Sequence, residues 1–69
     1  MSNLNIYYHI VPKNDGYTYL CRNNNELFLA RKDAPAHSDE LVFEDLTAAE
    51  KFIKDNNLQE YKAEAFLRG

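Results

Sequence analysis

A small α+β domain is what this chain of 69 residues predicts: an antiparallel β-meander of three to four strands with one helix packed on it, ending in a second helix or a strand. Three observations lead there. Runs rich in β-branched and aromatic residues fill the first half, turn residues punctuate them, and one capped amphipathic stretch follows.

The first run is "LNIYYHIV", residues 4–11. Pro12 cannot donate to a ladder, so it ends that strand or sits on an edge. "KNDG" reads as a turn, because Asn14 and Asp15 tolerate tight conformations and Gly16 can supply a positive φ. A three-residue loop ending on a glycine bulge suits this spacing and pairs Lys13 with Tyr17. "YTYLCR" returns as a second strand, Asn23-Asn24-Asn25 make the next turn with Arg22 facing Glu26, and "ELFLAR" is a third strand. Residues 32–40, "KDAPAHSDE", form a loop around Pro35, and "LVFE" suits a short fourth strand.

In "LTAAEKFIKDNN", Thr47 and Glu50 have the spacing of a capping box. Ala49, Phe52 and Ile53 share one helical face. Asn56 or Asn57 can end the helix, since asparagine tolerates the left-handed conformation. The tail supports two readings. "YKAEAFL" alternates as a strand does, with Tyr61, Ala63, Ala65 and Leu67 on one side, whereas "LQEYKAEAFLR" is built from strong helix formers. The balance of local propensity leans to a helix.

With Lys13 opposite Tyr17, Ile6, Tyr8, Ile10 and Leu20 share one face of the sheet. Tyr7, His9, Val11, Tyr17, Tyr19 and Cys21 share the other. With Arg22 opposite Glu26, Phe28 and Ala30 join the first face and Leu27 and Leu29 the second. A slip of one residue exchanges these sets. Both faces carry apolar groups, and one helix covers only one of them. Either the C-terminal segment buries the other as core, or Tyr7, His9, Tyr17 and Tyr19 form a recognition or homodimer surface. Tyrosine suits that role through its large apolar area and polar tip.

Size and composition bound the rest. A single domain, residues 1–69, is expected. Chains this short bury only about 60% of the surface that the unfolded form exposes, so stability is thin. Five tyrosines and four phenylalanines argue against disorder. No apolar run reaches the ~18 residues a membrane helix needs, and the N-terminus lacks the pattern of a signal peptide. The lone Cys21 forms no internal disulfide, which points to a reducing, cytoplasmic location.

The net charge of −3 is unevenly spread. Residues 1–37 hold four basic and three acidic side chains, whereas residues 38–69 hold four basic and eight acidic ones. That distribution lacks the basic footprint of nucleic-acid binders.

Little catalytic chemistry is expected. In the register above, His9 faces Cys21, and a Cys–His pair is a recurring nucleophile, but no orienting acid or oxyanion donors accompany it. A structural cysteine is the simpler reading. His37 lies near Asp33, Asp39 and Glu40, yet "DAPAHSDE" matches neither a zinc nor a calcium pattern. Gly16 and Gly69 stand in no phosphate-loop context. The expectation is a non-enzymatic protein without cofactor or metal. Asp39, Glu40, Glu44 and Asp45 precede the helix, where anions favour its dipole by ~0.3–1 kcal/mol each. They also form a candidate acidic patch for a basic partner.

Tyr8-His9-Ile10-Val11-Pro12, then Asp15-Gly16-Tyr17, resemble a family of short uncharacterised bacterial and phage domains. Their strands read Tyr-His-Val-Val-Pro, then Gly-Trp, ahead of a helix to which "LTAAEKFI" is similar. Tyr17 stands where tryptophan is usual, the middle is longer, and a C-terminal segment is added. The resemblance implies a small antiparallel sheet with a helix, and no activity. The function expected is protein–protein interaction by a bacterial or phage accessory protein, self-associating or binding a partner through the tyrosine face. The alternatives are an acidic inhibitor of a nucleic-acid-handling enzyme and a single-strand binder that stacks bases on tyrosines.

Overall fold

The computed structural model describes residues 5–68. Its elements in chain order are β1 (Asn5–Pro12), β2 (Thr18–Asn23), β3 (Glu26–Arg31), α1 (Leu46–Asp55) and β4 (Tyr61–Arg68). The class is α+β with antiparallel strands and one helix, as expected. The pairing within it differs from the expectation in three places, each with a physical cause.

β1 does not pair with β2. It pairs with β4 along its whole length, from Asn5 opposite Arg68 to Pro12 opposite Tyr61, while β2 pairs with β3. Between β1 and β2 runs the backbone of residues 39–43. Tyr8 and Phe43 exchange bonds of 2.9 and 3.0 Å, Leu41 N–H donates to Leu20 (3.2 Å), and Arg22 N–H donates to Asp39 (2.9 Å). "LVFE" therefore supplies one isolated bridge, at Phe43, rather than a strand, and Glu40 just before it supplies another. The "KNDG" turn closes without the expected glycine bulge, because Gly16 does not take a positive φ. The Asp15 carboxylate organises it instead, accepting from the Tyr17 N–H (2.8 Å) and the Thr18 hydroxyl (3.1 Å).

The β2–β3 register is one residue tighter than expected, with Asn23 rather than Arg22 opposite Glu26. Asn24 makes this possible by adopting a left-handed φ of 57°, and the Arg22 side chain donates to its carbonyl (2.8 Å). That slip moves Phe28 and Ala30 to the face of Tyr19 and Cys21, and Leu27 and Leu29 to the opposite one.

The tail is a strand, which corrects the lean to a second helix. Asn57, at φ 57°, closes α1. Leu58 N–H donates to Ile53 (2.9 Å) and Asn57 N–H to Lys54 (3.2 Å), the paired bonds of a Schellman motif. Asn57 is thus spent ending one helix and cannot start another. At the other end Asp45, not Thr47, caps α1, its carboxylate accepting from the Ala48 N–H (2.7 Å).

Two layers of contacts result. On one side α1 lies against β1 and β4, with Ile10 and Ala49 fully buried and Phe52 packed 5.5 Å from Phe43. On the other, the two ladders turn their inner faces toward each other, so that Val11, Tyr19 and Cys21 cluster and Phe28 and Ala30 pack against them. The second greasy face is thus largely internal. Among the described residues no helix is long and apolar enough to cross a membrane.

Candidate functional site

Where the ladders meet, the odd positions of β1 and the even positions of β4 point inward together, because Tyr7 is opposite Phe66 and His9 opposite Glu64. His9 stacks against Phe66 at 3.9 Å (planes 7° apart) and against Tyr19 of β2 at 4.5 Å (16°). Tyr7 extends the aromatic row, its ring 6.0 Å from that of Phe66. The His9, Tyr19 and Phe66 rings edge a recess of about 270 Å³, whose walls include Ala34 and Ala36 of the 32–40 loop and Glu64 and Arg68 of β4.

The polar centre of the recess is Glu40. One carboxylate oxygen lies 2.8 Å from His9 Nε2 and the other 2.8 Å from an Arg68 guanidinium nitrogen. The His9 and Glu40 side chains are each only 12% exposed, so their hydrogen bond forms in a largely dry setting, whereas Arg68 approaches from the solvent side. The Arg68 guanidinium also lies 5.0 Å from the centre of the Phe66 ring. Lys32 and Glu64 form a second ion pair at the rim, tying the end of β3 to β4.

Burial pushes the His9 imidazole below its ordinary pKa, and this outweighs the hydrogen bond and negative charge of Glu40, which pull it up. His9 is therefore neutral at physiological pH, and its Nε2 carries the proton that Glu40 accepts. Burial pushes the Cys21 thiol up instead, helped by Glu40 and Asp39. A raised thiol is a poor nucleophile, and Cys21 sits opposite Phe28 rather than His9, so the register-based Cys–His pair does not form.

The four candidate surface tyrosine and histidine positions separate. His9 lines the recess, and Tyr7 lies outside it, against Phe66. Tyr19 is a core residue at 3% exposure, its hydroxyl accepting from the His37 N–H (3.0 Å). Tyr17 stands out from the turn, 78% exposed. The four acids also separate. Glu40 turns inward, Asp39 accepts from the Asn23 amide (3.0 Å), Asp45 caps α1, and Glu44 is left exposed. His37 sets its ring edge-on to Phe28 at 5.1 Å, and its Nδ1 accepts from the Asp39 N–H (3.0 Å). Among the described residues no three His, Cys, Asp or Glu side chains converge as metal ligands.

Phe66, Arg68, Lys32 and Glu64 were not among the sequence candidates. The signal for three of them was present: as a strand, "YKAEAFLR" puts Glu64, Phe66 and Arg68 on one side. Comparison of the chain with family models, with curated proteins and with solved structures returns no match.

Proposed function

We propose that the chain is a non-enzymatic binding module that receives one large side chain, aromatic by preference, of a protein partner in the recess beside His9 and Phe66. The observation that carries this reading is the size of the recess set against its lining. Small-molecule sites usually enclose roughly 300–1,000 Å³. A recess of about 270 Å³ falls below that range and suits a single anchoring residue. Anchors of this kind dominate protein interfaces when they fill a pocket ringed by polar contacts.

Phe66 supplies an aromatic wall, Ala34 and Ala36 supply small apolar ones, and the Lys32–Glu64 pair and Arg68, which Glu40 holds from the centre, form a polar rim. The pairs hold the rim in place, so little ordering is needed when a partner arrives. Tyr7, beside Phe66, extends the contact surface beyond the recess.

Selection of displayed peptides on the wild-type chain, with Ala36→Trp as counter-target, tests this. Ala36 is exposed, so a larger side chain there fills the recess without disturbing the core. The expected outcome is enrichment of peptides that share an aromatic residue and bind Ala36→Trp at least ~10-fold more weakly, the loss of a single anchor. Peptides that bind both proteins equally, or no enrichment at all, would remove the reading.

A further inference from the structure

We infer that the chain dimerises through the open edge of β3, pairing it antiparallel with β3 of a second copy. This inference is independent of the recess, which lies on the other side of the ladder from the leucines concerned.

β3 has β2 as its only neighbour among the described strands. The direction of its free groups follows from the bonds around β2. Leu20 and Arg22 direct their backbone toward the 39–41 segment, accepting from Leu41 N–H and donating to Asp39. They therefore turn away from β3, and their opposite numbers, Leu29 and Leu27, turn away from β2. The outward backbone groups of β3 thus belong to Leu27 and Leu29. The same two residues expose their side chains, at 38% and 42%, on the face that α1 does not reach.

Exposed edges are usually protected by charge along their length. β4, the other edge, carries Lys62, Glu64 and Arg68 at alternate positions. β3 has no charge between Glu26 and Arg31: its middle is Leu-Phe-Leu-Ala. One edge is guarded and the other bare.

A second copy fits this edge better than an arbitrary strand because β3 is self-complementary. Outward groups lie on odd-numbered residues, so a two-fold axis through Phe28 sets Leu27 against Leu29 of the second copy, and the reverse. Each such pair exchanges both N–H···O bonds. All four leucines then meet on one face and the two Phe28 rings on the other. No like charges stand opposite each other. The antiparallel direction also brings acidic Glu26 toward the basic end of the opposing strand, Arg31 and Lys32. A single short strand offers less than the ~800 Å² per partner of a standard interface, so the equilibrium is a weak one.

Sedimentation and amide exchange on the full chain test this across micromolar to millimolar concentration. The wild type is expected to show a monomer–dimer equilibrium, with exchange at Leu27 and Leu29 slowing as concentration rises. Leu29→Lys, which adds an edge charge at an exposed site, is expected to remain monomeric. A synthetic chain N-methylated at Leu29 keeps the side chain and the β2 ladder but loses the outward donor, and is expected to dimerise roughly ten-fold more weakly. Ala65→Lys, on the β4 edge, is expected to dimerise like the wild type. A monomeric wild type would overturn the inference. So would a dimer unaffected by N-methylation, or one lost in Ala65→Lys. Should Leu29→Lys fail to fold, the N-methylated chain and the exchange measurement still decide.

Discussion

The two ladders have nearly the same materials and different surroundings. β1–β4 is enclosed on both sides, by α1 over Ile10 and by the facing ladder over Val11 and His9. β2–β3 is enclosed fully on its inner side, where Tyr19 and Cys21 are buried, and only in part on its outer side, where Leu20 is buried but Leu27 and Leu29 stay partly exposed. A single ten-residue helix cannot cover both ladders. In so small a domain the covered ladder therefore carries most of the stability. The half-covered one is left with surface available for contacts.

The widest separation between the ladders is expected on truncating equivalent apolar residues. Ile10→Ala removes a fully buried side chain beneath α1 and is expected to cost about 2–5 kcal/mol, enough to leave a large unfolded fraction in a thinly stable domain. Leu29→Ala, at an exposed site, is expected to cost less than about 1 kcal/mol. Urea denaturation at low protein concentration checks both. Equal losses would erase the contrast.

A middle effect is expected at Phe66, which belongs to the covered ladder but faces the recess. Phe66→Ala removes the ring that stacks on His9, adjoins Tyr7 and underlies Arg68, at about 2 kcal/mol, because the ring is only half-buried. A smaller effect is expected at the helix end. Asp45→Ala deletes the cap on the Ala48 N–H and should cost about 1 kcal/mol, whereas Thr47→Ala should be close to neutral. The same denaturation series ranks them, and a larger loss at Thr47 would return the cap to the position that sequence spacing favours.

That last pair shows how legibility divided. The α1 segment was readable because Ala49, Phe52 and Ile53 mark a face within a few residues, and Asn57 closes the helix by a local conformational preference. The third strand was readable from "ELFLAR" alone. Pairing was not. Whether Tyr8 meets β2 or Phe43 depends on a segment more than thirty residues away, and no local signal announces the insertion of 39–43 between two strands. The one-residue shift at Asn24 then reassigned Phe28 and Ala30 to the inner face. His9 and Glu40 could each be singled out, for different reasons, but their contact is a product of that long-range insertion. Phe66 and Arg68 were hidden because strong helix formers in the tail masked its alternation.

The smallest effect is expected from pH, where burial and Glu40 act on His9 in opposite directions. Burial lowers its pKa while Glu40 raises it, and burial prevails. The folded state then binds a proton less readily than the unfolded chain, whose imidazole titrates near 6.5. Between the two values the unfolded state carries more protons, so stability rises with pH across that window. This contribution is fully present above about pH 6.5 and is lost as pH falls toward the folded value. His9→Phe keeps a ring in the stack and removes the titration. Melting curves between about pH 8 and 5 should therefore fall less steeply for His9→Phe than for the wild type in the upper part of that range, before the carboxylates titrate. A wild type that instead gains stability relative to the variant as pH drops through that range would mean that Glu40 outweighs burial, and that the recess binds an imidazolium rather than a neutral ring.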